Sequence, residues 1–180
     1  MKKRGKTFRK RGQIWIETLI YTLIALVMIG LVLTFAKPKI EEIQDNAIIE
    51  QSIKVLEGID SIILSLDQGG AGNKRLIDLE IKKGVLNIDG VSDMIYFEMD
   101  SKSEYSQPGE FIQYGDLILY TEKKGEFNRV TLTRNYSGMY DITYKGEDEL
   151  KTITKSPSQY KLYITHNGKN QNKTIIDFEI

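Results

Sequence analysis

Between Ile14 and Ala36 the chain carries one formal charge, Glu17, in a run otherwise made of apolar residues, three threonines and Gly30. A helix crosses the hydrocarbon core of a bilayer in about 20 residues. This apolar stretch is therefore long enough to cross a bilayer as a helix. Seven of the 25 Lys and Arg stand just before it (Lys2, Lys3, Arg4, Lys6, Arg9, Lys10, Arg11), with no acidic residue among them. Such a flank holds the N-terminus in the cytoplasm and sends the C-terminal part of the chain to the other side. The formal charge of the whole chain is zero, so everything after Gly12 is acidic, with a net charge of −7. An acidic body gives no support to a nucleic-acid partner. With no cysteine there is no disulfide framework, thiolate metal site or cysteine nucleophile.

Three readings are open for residues 1–36. A cleaved secretory signal has an apolar core of about 7–15 residues and a small-residue cleavage site. Here the run is longer, and Ala36 is followed by Lys37-Pro38-Lys39. A plain signal anchor accounts for the basic flank and the span, but gives no role to Glu17. The third reading removes the basic leader at the Gly12-Gln13 junction and keeps the apolar helix.

Arg11-Gly12 followed by Gln13, Trp15 and Glu17 and then a long apolar helix resembles the class III signal peptide of archaeal type IV pilin-like proteins. The resemblance covers residues 1 to about 66. It implies a cut by a prepilin peptidase between Gly12 and Gln13, which makes Glu17 the fifth residue of the mature chain. It implies further that the new amine of Gln13 pairs with Glu17 of a neighbouring subunit as a filament grows. The implied partners are the peptidase, identical or related pilin subunits, membrane lipid before assembly and a pilus assembly platform. The implied location is a single-pass cell-membrane protein first and an extracellular filament afterwards. Membrane contact falls to Ile14, Trp15, Leu19, Leu23, Leu26, Leu31 and Leu33. Trp15 and Tyr21 suit either an interfacial belt or helix packing. The hydroxyls of Thr18, Thr22 and Thr34 can be satisfied on carbonyls one turn back.

Pro38 predicts a kink or short break near Lys37. Ile40, Ile43, Ala47, Ile49, Ile53, Leu56, Ile59, Ile62, Ile63 and Leu66 then continue an apolar stripe at helical spacing. Acidic and polar residues, Asp45 and Asp60 among them, are assigned to the opposite side. Three glycines between Gly69 and Gly72 end the helix. They do not form a phosphate loop, because the G-x-x-x-x-G-K spacing is missing.

From Arg75 the period changes to two. The alternating sets are Ile77–Ile81, Ile95–Met99, Val130–Leu132, Tyr140–Tyr144, Tyr160–Ile164 and Ile176–Ile180, with a continuous run at Leu117–Thr121. Turn signals at Lys83-Gly84, Asp89-Gly90, Lys124-Gly125, Ser137-Gly138, Lys145-Gly146 and Asn167-Gly168 separate seven to nine strands. The expected fold is α+β: a basic leader (1–12), a membrane and assembly helix (13–66), a glycine hinge (67–74) and an antiparallel β-sandwich (75–180).

No nucleophile, base and orienter set occurs, so no catalytic residue is assigned, and no cofactor is implied. His166 is read as a turn residue, since one histidine without cysteine does not make a zinc site. The acidic triplet Glu147-Asp148-Glu149 lacks calcium-loop spacing, so no metal is assigned. The tyrosines alternate with polar residues and are read as packing. Asn135 and Asn172 each open an N-glycosylation sequon. The main functional expectation is a pilin-like filament subunit. The alternative is an anchored extracellular binding module that never polymerises, and a membrane-tethered enzyme ranks last.

Overall fold

A computed structural model describes residues 8–170 and 172–180. One long helix, α1 (Phe8–Gly69), precedes ten strands. The chain divides into two compact units, Met1–Glu41 and Glu42–Ile180, so the last part of α1 belongs with the strands. The helix begins before Gln13, its expected start. Lys and Arg are good helix formers, and the single Gly12 costs only about 1 kcal/mol against a long helix beyond it. The expected break near Lys37 is also absent, since α1 continues through Pro38. Proline there removes one backbone donor, and turns on both sides hold the remaining ladder.

The strands are β1 (Lys74–Leu79), β2 (Val85–Asp89), β3 (Met94–Ser101), β4 (Phe111–Tyr114), β5 (Leu117–Lys124), β6 (Phe127–Asn135), β7 (Tyr140–Tyr144), β8 (Leu150–Thr154), β9 (Tyr160–Asn170) and β10 (Lys173–Glu179). They form a four-stranded sheet in the order β1-β9-β10-β7 and a six-stranded sheet in the order β4-β5-β6-β3-β2-β8. All pairs are antiparallel except β7 with β10, which is parallel. This departs from the purely antiparallel arrangement expected. Between β7 and β10 the chain visits the other sheet as β8 and returns through β9, and that long crossover makes a parallel pair possible.

The two-residue period is visible in β3 and β10, where buried and half-buried positions alternate. One hydrophobic core takes Ile49, Ile53, Leu56, Ile59, Ile63 and Leu66 from α1 and inward residues from both sheets, including Phe97, Leu132, Ile164 and Phe178. Ile40, Ile43 and Ala47, which continue the same stripe toward the N-terminus, stay exposed.

Asn167-Gly168 is not a hairpin turn. Strand β9 runs through it to Asn170, and Gly168 takes a φ of 100° within the strand. The pairing of β9 with β10 shifts register between Thr174 and Ile176, as a bulge requires. A glycine inside a strand marks such an irregularity as readily as it marks a turn.

Candidate functional site: the apolar helix and its carboxylates

Among the described residues, α1 is the one helix long and apolar enough to cross a membrane by length and composition. Ile14, Trp15, Leu19, Leu23, Leu26, Leu31 and Leu33 are all more than half exposed, and none of the most apolar window is buried by the rest of the chain. Soluble monomers rarely leave an apolar patch of more than a few hundred Å² uncovered. The hydroxyls are accommodated as expected. Thr18 Oγ1 donates to the Ile14 carbonyl at 2.9 Å, Thr22 to Thr18 at 2.8 Å and Thr34 to Gly30 at 2.9 Å.

Gly12 and Gln13 lie in helical backbone. The leader residues 1–7 lie outside the described residues. Glu17 is exposed on α1, one turn and about 6 Å along the axis from Gln13. It is the only formal charge within the apolar run, and a carboxylate at that depth is costly in hydrocarbon.

Three further carboxylates of α1 point toward the strands. Asp45 is 4% exposed and accepts from Lys83 Nζ and from the Lys102 backbone N–H, the latter at 2.7 Å. Asp60 accepts from Arg134 Nε at 2.8 Å, with side chains only 18% and 11% exposed. Arg134 also donates from Nη1 to the Asp116 carbonyl at 3.1 Å. Asp67 Oδ1 accepts from the Thr174 hydroxyl at 2.8 Å. Burial works against the Arg134 charge, but the hydrogen bond and charge of Asp60 outweigh it and leave its pKa raised. Tyr136 is fully buried beside this pair, and burial together with the Asp60 charge pushes its phenol upward.

Asp45 and Asp60 therefore do not lie opposite the apolar stripe. Helical phase carries the signal: Asp45 precedes buried Ile49 by four residues, and Asp60 follows buried Leu56 by four. An assignment to solvent on the ground of charge alone misses their partners Lys83 and Arg134, which lie far away in sequence.

His166 is not at a strand end either. It is 2% exposed in the body of β9, and Nδ1 accepts from the Gly168 N–H at 3.0 Å. Its backbone accepts from Gly72 N–H at 2.8 Å and donates to the Asn73 carbonyl at 2.9 Å, fastening the loop after α1. Asn135 and Asn172 are both exposed. Asn135 Oδ1 accepts from the Ser137 N–H at 2.9 Å and the Ser137 hydroxyl at 2.7 Å. In the second sequon the Thr174 hydroxyl is the buried one held by Asp67. Glu147, Asp148 and Glu149 are exposed, and among the described residues no group of three or more His, Cys, Asp or Glu is placed to hold a metal ion.

Comparison with protein-family models, curated proteins and solved structures gave no match.

Proposed function

We propose that this chain is a structural, pilin-like subunit of a type IV pilus-like surface filament, held in the membrane by α1 until it assembles. The observation that carries the reading is the apolar run of α1 from Ile14 to Ala36, which no other described residue covers, entered through a basic leader, Gly12-Gln13 and Glu17. A prepilin peptidase cuts after Gly12 on the cytoplasmic side. The cut leaves a protonated amine on Gln13, since such amines titrate near 7.7–8.0. When helices of neighbouring subunits pack together, that amine meets Glu17 and both charges lose their exposure to hydrocarbon. Ile40 and Ile43 continue the stripe beyond the span and add helix-to-helix surface in the filament. The two sheets form a sandwich-like head facing outward, with Asn135 and Asn172 as candidate glycan acceptors.

A free-standing anchored module is the second reading. It is favoured by Glu42–Ile180 forming a compact unit, the end of α1 included, with one hydrophobic core. Mass spectrometry of the mature chain separates the two. A chain beginning at Gln13 supports the filament subunit, and a retained leader defeats it.

A further inference from the structure

Strand β4 stands at the open edge of the six-stranded sheet, and all four of its residues are exposed. The core does not need them. Its last residue, Tyr114, is nevertheless aimed. Tyr114 pairs with Leu117, which is buried, and directly opposed residues share one side of a sheet. Arg134 of β6, which reaches Asp60 of α1, stands on that side too, two residues beyond buried Leu132, the partner of Leu119. Tyr114 therefore faces α1, yet it is 56% exposed. Between the β4-β5 turn and α1 lies a recess of about 260 Å³, whose lining includes Tyr114, Asp116, Arg134, Glu57, Asp60 and Ser61.

The recess holds hydrogen-bonding capacity that the fold has not spent. The Arg134 side chain is only 11% exposed and is fixed through Nε on Asp60 and Nη1 on the Asp116 carbonyl. Its Nη2 makes no hydrogen bond among the described residues and is not sealed from solvent. A planar guanidinium held at two nitrogens presents the third at a set place. Glu57 takes part in none of the ion pairs among the described residues. The Ser61 hydroxyl donates to the Glu57 carbonyl and keeps its own lone pairs as acceptors.

This set selects a ligand class. Three acids around the recess oppose an anion, and the guanidinium among them opposes a cation. An uncharged ligand serves both kinds of group only if neighbouring atoms donate and accept, as vicinal hydroxyls do. A pyranose ring also has a face of C–H groups to lay on Tyr114. The volume is just below the roughly 300–1,000 Å³ of pockets for drug-sized ligands, which suits a single ring. We infer that the recess binds one uncharged hexose ring, stacked on Tyr114, with its hydroxyls shared between Arg134 Nη2 and the Glu57 carboxylate. The site lies wholly within Glu42–Ile180 and does not rest on the filament reading.

Saturation-transfer NMR tests this on the full chain, solubilised in a detergent without a sugar headgroup. The probes are glucose, galactose and mannose, their methyl glycosides, glucosamine and glucuronate. At least one neutral hexose should receive transfer at its ring C–H protons, more strongly than the two charged sugars. A response that includes methyl glycosides assigns the ring to the end of a glycan, and one confined to free hexoses assigns it to a free sugar; both support the site. Tyr114→Ala should weaken binding about ten-fold, and Tyr114→Phe should retain it. Glu57→Ala should weaken it about five-fold. Phe111→Ala removes a ring that is 75% exposed and outside the recess, and should leave binding unchanged. Thermal melts should not separate these variants from the parent chain, since each changes an exposed side chain. Silence from every neutral hexose, a stronger response from a charged sugar, or equal losses in Tyr114→Ala and Phe111→Ala overturns the inference.

Discussion

Replacing Arg134 by alanine tests whether the Asp60 ion pair fastens the strands to the helix. The two side chains are 11% and 18% exposed and meet at 2.8 Å, so water cannot fully solvate a carboxylate left behind. Breaking a buried pair in this way costs about 3–5 kcal/mol, because the remaining charge has no compensation. For a unit of this size that lowers the midpoint of thermal unfolding by roughly 10–15 °C. The comparison variant is Lys74→Ala. Its pair with Glu179 has nearly the same length, 3.0 Å, but both side chains are almost half exposed. That change should cost under about 1 kcal/mol. The double variant Asp60→Ala/Arg134→Met should be less destabilised than the sum of its two single changes, since it leaves no orphan charge. Circular dichroism melts of the detergent-solubilised chain read all of these. If Arg134→Ala melts with Lys74→Ala, or if the double variant is strictly additive, the pair does not act as described.

Glu17→Ala should leave the chain inserted in the membrane but without filaments by electron microscopy, and normal filaments would remove the proposed role of the carboxylate. Gly84→Ala should destabilise the strand unit by at least about 1–2 kcal/mol in a denaturant titration. Gly84 holds a φ of 82°, and a Cβ there would run into the Glu98 carbonyl. Asp141 has its pKa raised by burial and by the Asp93 and Asp148 charges, against the opposing Lys173. A raised folded-state pKa means the folded chain holds this proton more tightly than the unfolded chain. Its contribution is therefore lost as pH rises from the unfolded value near 3.8 through the folded one. Asp141→Asn should flatten that part of the stability–pH profile and stabilise the unit at neutral pH, and an unchanged profile would count against the assignment.

The helix is legible in the sequence because its period is long and uniform: Ile49, Ile53, Leu56, Ile59, Ile63 and Leu66 are buried as their spacing implies. Strands with strict alternation, such as β3 and β10, are legible for the same reason. Strand β2 is bracketed by its two turn signals but lacks clean alternation, because Asn87 is buried and accepts from the Thr152 hydroxyl at 2.6 Å. Strand β4 has no buried face, so it offers no pattern to read. The parallel partnership of β7 with β10 depends on which sheet each strand joins, which local propensity does not encode. Asp45 and Asp60 look solvated when residue type is weighed before helical phase. Their partners on β6 and in the loops can be recognised only once the strands are in place.

The four-stranded sheet joins the first strand of the chain to its last two, β1 to β9 and β9 to β10. Phe178 is fully buried in the core, and Thr174 holds Asp67 of the helix. Contacts so distant in sequence make folding slow, because a long loop must close before they form. The strand unit thus cannot complete its core until β10 has been made and paired. Through that interval the exposed β4 edge exists in an unfinished domain whose own β1 is still unpaired. A chain lacking Phe178 would remain in that state, making β10 a checkpoint on which copies finish folding.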